Sequence, residues 1–310
     1  MNCSSYQRYK PLLQGLLLTF FLMSHAHAGA PALSQQQLDT LSALLSVTDT
    51  PHEKTFDSMV NATQKWRRRA DQERWEVADL KLTDEQKNKV MEHLEALGLI
   101  KEMKPDKKHF DYALVLGGTA PRMKSRFQHL VKLWNEGVRF DQIIFLSGQR
   151  PTQDDIDQTD TLVSEVIGKD APDDKKRKAR PATEKEAAEM VYMSTKMPDA
   201  MKHIKIDFFS TDRFWLVDRW QRGNTRDSIK NWVASHPKPG SAVIVSNQPH
   251  LLYQQEVIRQ ELPKGFTTQA TARQSDFDGQ LIMYLDALAL WLHNLQVRVA
   301  QTTNQEADRE

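Results

Sequence analysis

The chain has 310 residues of ordinary globular composition, with 39% hydrophobic and 27% charged residues, 12 glycines and 13 prolines. This excludes a small disulfide-stapled scaffold, a collagen-like repeat and a wholly disordered chain. The 42 basic residues nearly cancel the 41 acidic ones, so there is no overall charge to hold nucleic acid or an anionic membrane. We therefore expect no nucleic-acid partner, and any charged ligand must be bound by a local group of residues.

The first residues have the pattern of a secretory signal peptide. Arg8 and Lys10 give a basic start to the mostly apolar run of residues 12–23. Ala26-His27-Ala28 then supplies the small residues of a cleavage site. The apolar run is shorter than the ~20 residues that a membrane-spanning helix needs. The sequence predicts a signal peptide over 1–28 and a periplasmic or secreted mature protein, with an uncleaved anchor as the alternative.

Cleavage after Ala28 would change the chemistry available to the mature chain. It would remove two of the 42 basic residues and none of the 41 acidic ones. Cys3, the one cysteine of the sequence, would be removed as well. The mature protein would then have no thiol, which excludes a cysteine nucleophile, a structural disulfide and a thiolate metal site. The sequence predicts no metal site.

Residues 29–108 are predicted to form a helical prefix and a linker. Leucines recur at helical spacing within residues 34–97, without an interrupting β-branched run. Thr83-Asp84-Glu85-Gln86 predicts a capped helix start, and Gly98 stands where a helix needs a left-handed residue to end. The charged, proline-containing segment 101–108 is typical of a linker. We expect the prefix to pack on the following domain without contributing a strand to its sheet.

From residue 109 to about residue 300 the pattern is that of an α/β domain. Short apolar runs alternate with helical segments. Continuous apolar runs are typical of parallel strands that are buried on both faces. The alternation predicts a Rossmann-like, doubly wound α/β fold with a mostly parallel sheet. The predicted strands cover residues 112–116, 142–147, 204–208, 241–246 and about 266–271.

Two segments lie outside this alternation. Residues 149–182 form a long insertion with an acidic half and a basic half. A mobile, solvated loop is the favoured interpretation, and a lid over a ligand site is the alternative. Residues 301–310 are polar and are expected to form a frayed tail after the final helix.

Familiar catalytic and cofactor motifs are missing from the sequence. Gly117-Gly118-Thr119 has neither the spacing of a dinucleotide fingerprint nor the ending of a P-loop. There is no GxSxG nucleophile elbow and no HExxH zinc motif. The cofactor therefore stays unknown, and no nucleophile is identified.

Polar residues do follow three of the predicted strands. The carboxyl ends of parallel strands lie at one edge of a sheet. These turns are therefore expected to form one anion pocket, together with arginines of the helix that follows the first predicted strand. Glycine, serine and asparagine also suit strand-to-helix turns for geometric reasons, so each turn has a purely structural alternative. The residues are Gly117, Gly118 and Thr119 with Arg122 and Arg126, then Ser147, Gly148 and Gln149, then Ser246, Asn247, Gln248 and His250.

Short motifs occur in the order seen in one bacterial family. They are Asp111-Tyr-Ala-Leu-Val-Leu-Gly-Gly118, Arg126, Ile-Ile-Phe-Leu-Ser147-Gly148, Thr183-Glu-Lys-Glu186-Ala, Asn224-Thr225-Arg226-Asp227 and Val-Ser246-Asn-Gln-Pro-His250. Over about residues 111–262 the chain resembles the YdcF/SanA/ElyC-like family. The resemblance implies a Rossmann-like protein of the bacterial envelope that binds a nucleotide-like or other anionic ligand. It marks as pocket candidates Gly117, Gly118, Arg126, Ser147, Gly148, Glu186, Asn224, Thr225, Asp227 and His250.

Glu186 and His250 are the candidate catalytic residues, because a carboxylate can accept a proton and an imidazole can exchange one near neutral pH. Asn224 is a candidate for orienting a polar ligand group. The structural alternatives are an N-cap for Asn224, a surface position for Glu186 and a satisfied first-turn residue for His250.

Three functions from different classes stay open. The first is an enzyme that acts on a phosphorylated or carboxylated envelope metabolite. The second is a non-catalytic sensor or binding protein that uses the same pocket. The third is an assembly factor whose helical prefix docks an envelope protein partner. Ligand binding in some form is favoured, because three strand ends carry polar turns, and the oligomeric state stays open.

Overall fold

The computed structural model of the protein describes residues 32–69, 72, 76–216, 219–221, 223–276 and 280–307. The predicted signal peptide, residues 1–28, lies outside the described residues. Within the described ranges, no helix combines the length and apolar character needed to cross a membrane.

The strands of the described chain form one five-stranded sheet and a separate two-stranded hairpin. They are β1 (His109–Leu116), β2 (Arg139–Gly148), β3 (Lys205–Thr211), β4 (Phe214–Leu216), β5 (Arg219–Gln221), β6 (Ser241–Asn247) and β7 (Thr267–Arg273). The large sheet has the order β3-β2-β1-β6-β7, and all its neighbouring pairs are parallel. The predicted parallel sheet is confirmed. The antiparallel hairpin β4–β5 was not foreseen from the sequence.

Helices connect the strands and cover the sheet. They are α1 (Gln35–Val47), α2 (Phe56–Thr63), the 3-10 helix η1 (Gln64–Trp66), α3 (Asp84–Ala96), α4 (Ala120–Asn135), α5 (Asp154–Asp157), α6 (Thr159–Ile167), α7 (Asp173–Ala179), α8 (Glu184–Ser194), α9 (Asp199–Lys202), α10 (Thr225–Val233), α11 (Leu251–Glu261) and α12 (Leu281–Ala307). The predicted cap of α3 is confirmed: Thr83 Oγ1 accepts the Gln86 N–H at 3.2 Å and Gln86 Oε1 accepts the Thr83 N–H at 2.9 Å. Gly98 follows this helix with a left-handed φ of 85°.

Alternate residues of the central strand face opposite helical layers. Ala113 and Val115 belong to the core formed with α4, α6 and α8. Leu114 and Leu116 belong to the core formed with α10 and α11 on the other face. All four side chains are buried, which is why the strand is a continuous apolar run in the sequence. The fold is therefore a Rossmann-like, doubly wound α/β architecture.

The helical prefix shares its core with the C-terminal helix. Leu44 of α1, Val90 of α3 and Leu288 of α12 belong to one hydrophobic cluster, and all three are fully buried. Leu252 of α11 also belongs to it. Short helices cannot bury their apolar stripes alone, so the long α12 supplies the apolar surface that the prefix needs.

Two segments differ from their predicted structure. Residues 149–182 were expected to be a solvated loop, but they contain α5, α6 and α7. Leu162 and Val163 of α6 are buried in the core on one face of the sheet, and this burial keeps the segment folded.

The final helix is the second difference, because α12 continues to Ala307 through most of the expected frayed tail. Residues 301–307 contain no glycine or proline that would stop a helix.

His129 of α4 is a buried histidine in the contact between α4 and β7. Its Nε2 lies 2.8 Å from Thr271 Oγ1, and that hydroxyl donates to the Met103 carbonyl at 2.8 Å. The imidazole N–H therefore donates to Thr271, and Nδ1 has no hydrogen-bond partner within the described structure. Burial lowers the pKa of His129 to about 4, although the charge of Glu102 acts in the opposite direction.

We expect His129 to make the protein less stable in acid. An unfolded histidine takes up a proton near pH 6.5, whereas the folded protein does so only near pH 4, so stability is lost as the pH falls through this window. At the lower end of this pH window, the free energy of unfolding is smaller by about 3 kcal/mol. Urea denaturation across the window should show a shallower fall in the free energy of unfolding for His129→Gln. His203→Gln, which removes an exposed histidine, is the control, and the hypothesis fails if both variants keep the wild-type slope.

Candidate functional site

The crevice between β1 and β6 is where ligand sites form in a sheet of this type. The chain leaves β1 toward β2 but reaches β6 from β3. As a result α4 and α11, which follow β1 and β6, cover opposite faces of the sheet. Their departure in opposite directions opens a crevice at the carboxyl ends of both strands. The turns that follow β1, β2 and β6 lie along this one edge.

Arg126 of α4 joins the two strands across the crevice. It is 2% exposed, and its Nε donates to Asn247 Oδ1 at 2.9 Å. Its Nη1 donates to the carbonyl oxygens of Leu116, at 2.8 Å, and of Gly117. These bonds fix the orientation of the guanidinium.

A buried carboxylate, that of Glu184, faces the same turns. It is the first residue of α8, and its Oε1 accepts the Gly148 N–H at 3.1 Å while its Oε2 accepts Arg150 Nε at 3.4 Å. Burial raises the pKa of Glu184, although the charges of Arg150 and Arg126 act in the opposite direction. Glu184 therefore holds a proton more readily than a surface glutamate and is suited to exchange one at the site.

Gly117 is required because Glu184 leaves no room for a side chain. A Cβ at this position would overlap Glu184 Oε1 and would lie 2.7 Å from the Leu146 carbonyl oxygen. A Cβ on Gly118, by contrast, would lie 3.5 Å from Arg126 Nη1 and would make only ordinary contacts. Gly117 thus lets the carboxylate approach the strand ends, whereas Gly118 leaves space beside the arginine.

Arg150 and Asp157 form a buried ion pair that supports the site. The Arg150 Nη1 and Nη2 atoms donate to the two carboxylate oxygens at 2.9 Å and 2.7 Å. The same carboxylate accepts the N–H of Ala120, the first residue of α4, at 3.0 Å. Burial raises the pKa of Asp157, but the bonds from Arg150 and from backbone N–H groups outweigh it and leave the pKa below its ordinary value. Thr119, at the N-cap of α4, makes no side-chain capping bond, so Asp157 satisfies this helix start instead.

The two serines predicted to bind ligand are bonded within the protein. Ser147 Oγ donates to the Phe209 carbonyl at 3.2 Å, and the Ser246 hydroxyl donates to Gln254 Oε1. Both residues are buried. Their hydrogen bonds within the protein stabilise the ends of β2 and β6.

Two glutamines connect the turns to neighbouring elements. The Gln149 N–H donates to the Thr211 carbonyl at 3.0 Å. The Gln248 side chain, 4% exposed, donates to the carbonyls of Gly98 and Lys101 at 2.9 Å and 3.0 Å. The edge of the sheet is thus tied to β3 on one side and to the end of the helical prefix on the other.

The predicted site residues Asn224, Thr225 and Asp227 begin α10. Asn224 Oδ1 accepts the N–H groups of Arg226 and Asp227, and Asp227 Oδ2 accepts the Asn224 N–H at 2.9 Å. The structural alternative for Asn224, an N-cap, is therefore present as a reciprocal capping box. Thr225 Oγ1 accepts Gln254 Nε2 at 3.4 Å, which joins α10 to α11.

The two predicted catalytic residues have different environments. Glu186 is exposed, and its Oε2 accepts the Ala182 N–H at 2.6 Å before the first turn of α8. This is the surface position kept as its alternative. His250 is 2% exposed at the start of α11, with its ring edge-on to Tyr253 at a centroid distance of 5.9 Å. The structure therefore places His250 at the end of β6 and places Glu184, not Glu186, against the strand ends.

Sequence reasoning missed Glu184, Arg150 and Asp157. Arg150 directly follows the turn after β2, and an arginine at a buried strand end needs a carboxylate partner. That requirement was a usable signal for an ion pair. It could not identify the partner, because the insertion and the start of α8 contain several acidic residues.

The described residues contain no group of three or more His, Cys, Asp or Glu side chains placed to hold a metal ion. Comparison of the chain with protein-family models, with curated proteins and with solved structures finds no match. The geometry of the strand ends is therefore the basis for assigning a function.

Gly117→Ala should destabilise the protein much more than Gly118→Ala. The methyl group at position 117 would overlap Glu184 and the backbone of β2, an overpacking cost of about 2–3 kcal/mol. At position 118 the change should stay within about 1 kcal/mol, since the contacts are ordinary and alanine restricts the unfolded chain. Chemical denaturation measures both. Equal midpoints would contradict the contact between Gly117 and Glu184.

Proposed function

We propose that the protein binds a small anion, bearing phosphate or carboxylate, at the carboxyl edge of its sheet. The observation that supports this is the buried Arg126 guanidinium at the switch point between β1 and β6. It donates to two backbone carbonyls and to the Asn247 side-chain amide, which hold it in one orientation at the crevice. A positive charge fixed in this way would attract an anion, and arginine is well suited to phosphate and carboxylate.

Arg122 and Gly118 complete the proposed pocket. Arg122 precedes Arg126 by one helical turn, so both side chains arise from the same face of α4. The Arg122 Cβ would lie 3.7 Å from a Cβ on Gly118, and Arg122 is half-buried. A glycine flanked by two arginines leaves room for an oxyanion that accepts from more than one guanidinium.

We assign the proton-exchanging role to Glu184 in place of Glu186, and keep His250 as the second candidate. Glu184 is buried beside Gly117 and Gly148, and its pKa is raised by that burial. His250 is buried at the end of β6, and its backbone N–H donates to the Asn247 carbonyl at 2.9 Å, which fixes the start of α11. If the ligand is transformed, these two groups are the ones positioned to move protons.

The cellular setting is part of the proposal. The motifs shared with the YdcF/SanA/ElyC-like family and the signal-peptide pattern of residues 1–28 support an exported protein of the bacterial envelope. An enzyme that acts on a phosphorylated or carboxylated envelope metabolite fits this setting.

A sensor or assembly protein is the second candidate, and one contact favours it. Gln248 follows β6 at the proposed pocket and donates to the carbonyls of Gly98 and Lys101 at the end of the prefix. An envelope protein that docks on the prefix would therefore act on a segment bonded to the pocket. Turnover of a panel of phosphoesters and cell-wall precursors by the purified protein separates the enzyme from this candidate.

Replacing Arg126 with alanine should weaken the binding of inorganic phosphate or glucose 1-phosphate by about 10- to 100-fold, the usual contribution of a hydrogen bond to a charged group. Arg139→Ala is the control, because Arg139 begins β2 at the opposite edge and stacks on Trp134 at 4.2 Å. If Arg126→Ala does not fold, Arg122→Gln is the variant to measure, because Arg122 is only half-buried and its replacement disturbs the fold less. Equal losses for the Arg126 and Arg139 variants in titration calorimetry would refute the pocket.

Binding should strengthen as the pH falls toward the raised pKa of Glu184. A bound anion disfavours the charged carboxylate, so the complex takes up a proton across the pH range above the ordinary value of 4.5. Glu184→Gln should bind sulfate, an anion that does not titrate in this range, with little dependence on pH. Glu186→Gln, an exposed carboxylate of the same helix, should keep the wild-type slope. If calorimetry instead shows the wild-type slope for Glu184→Gln and a loss of pH dependence for Glu186→Gln, the proton-exchanging residue is Glu186.

A further inference from the structure

A serine and a histidine of the helical prefix form a hydrogen-bonded pair. Ser42 lies in α1, and His52 lies in the loop between α1 and α2. Ser42 Oγ and His52 Nε2 are 2.8 Å apart, and both side chains are half-buried. Ser46, one turn further along α1, instead donates its hydroxyl to the Ser42 carbonyl at 2.9 Å, as serines within helices commonly do. The Ser42 hydroxyl is thus directed away from its own helix and toward the histidine.

The other ring nitrogen of the histidine decides which group of this pair donates. His52 Nδ1 lies 2.8 Å from the Thr50 carbonyl oxygen. A carbonyl oxygen can only accept a hydrogen bond, so Nδ1 holds the proton and, in the neutral ring, Nε2 has the free electron pair. The Ser42 hydroxyl therefore donates to Nε2. This is the arrangement in which an imidazole takes a proton from a serine nucleophile.

Hydrogen bonds on both sides of His52 hold the imidazole in this orientation. The Thr50 N–H donates to the Leu45 carbonyl at 2.8 Å, and Thr50 is 4% exposed. After His52, the Glu53 N–H donates to Ser58 Oγ, in the first turn of α2, at 2.9 Å. The loop is thus attached to both α1 and α2, so the base is held ready without rearrangement of the backbone.

The serine of this pair lies in the wall of an open cavity. The cavity has a volume of about 380 Å³ and is lined by Asp39, Ser42, Ala43, Ser46 and Lys54. Sites for small ligands begin at about 300 Å³. The positive charge of Lys54 in the same wall can offset the negative charge that develops on a carbonyl oxygen under attack. The cavity therefore combines a nucleophile, its base and an electrostatic partner for an oxyanion.

We propose that Ser42 is the nucleophile and His52 the general base of a catalytic site that hydrolyses small carboxylic esters. Ser42 Oγ attacks the ester carbonyl carbon while its proton passes to His52 Nε2. The bond from that carbon to the alcohol oxygen then breaks, and the alcohol leaves with the proton. Water adds to the acyl-serine in the same way, which releases the carboxylic acid and restores the Ser42 hydroxyl. The site contains no residue of the proposed anion pocket and does not rest on the proposed function.

The first test is covalent labelling of the purified protein with diisopropyl fluorophosphate. A serine activated by a histidine displaces fluoride and gains a diisopropylphosphoryl group. Intact mass should show one adduct, and peptide mapping should locate it on Ser42. Ser42→Ala should not be labelled, and His52→Gln should react about 100-fold more slowly or less. Ser194→Ala, which removes a half-buried hydroxyl of α8 that donates to the Val191 carbonyl, should be labelled like the wild type.

The second test measures the hydrolysis of p-nitrophenyl acetate, which an imidazole can also attack directly. Ser42→Ala and His52→Gln should each lower kcat/KM by about 100-fold or more. His203→Gln, which removes an exposed histidine, should keep the wild-type rate. Ser42→Ala should keep the wild-type circular dichroism spectrum, because alanine suits the interior of a helix.

The outcomes distinguish catalysis from a structural bond between α1 and its loop. An adduct on Ser42 that requires His52 supports the catalytic pair. The absence of an adduct, or an adduct on another residue, overturns the proposal, and so does a wild-type rate for Ser42→Ala. If His52→Gln alone is inactive, the imidazole is the nucleophile and the assignment to Ser42 is wrong. If Ser42→Ala lowers only the Tm, the hydrogen bond is structural. None of these results bears on phosphate binding at the strand ends, which is measured separately.

Discussion

Buried charges at the carboxyl edge hold the strand ends of this protein in one arrangement. Arg126 joins β1 to β6 through Asn247, and Glu184 joins the end of β2 to α8. Arg150 links Glu184 to Asp157, whose carboxylate satisfies the start of α4. Removal of one member would leave another charge buried without its partner, at a cost of about 3–5 kcal/mol. The turns at the candidate site therefore depend on these few buried charged groups and their hydrogen bonds.

The need to pair the buried charges at the strand ends also explains the helical insertion between β2 and α8. Asp157 can serve Arg150 and α4 only if the segment that carries it is held in place. The insertion is closed at its base, where Pro151 pairs with Thr183 and the Glu184 N–H donates to the Arg150 carbonyl at 2.9 Å. Burial of apolar residues of α6 secures the remainder. The insertion is thus a support of the site, and its exposed basic helix α7 lies outside that support.

Many polar side chains at the edge of the sheet hold its shape. Ser147, Ser246, Asn224 and the Arg150–Asp157 pair are engaged in bonds within the protein. Gly118 and Arg122 are half-buried at the same edge, and Glu184 is buried beside them. Because these bonds already fix the edge, a ligand that binds there would require little rearrangement of the backbone.

The sequence by itself determined the fold class, the caps of α3 and the convergence of the strand-end turns, because apolar periodicity and capping residues act over short stretches of chain. Only the tertiary structure decided that Glu184 and not Glu186 lies at the strand ends, that Asp157 is the buried acid of its run, and that α12 completes the core of the prefix. Arg150 and Glu184 are 34 residues apart in the chain, and Arg126 and Asn247 are 121 apart. Contacts of this kind depend on which side chains the packed elements bring together, and the linear sequence does not contain that information.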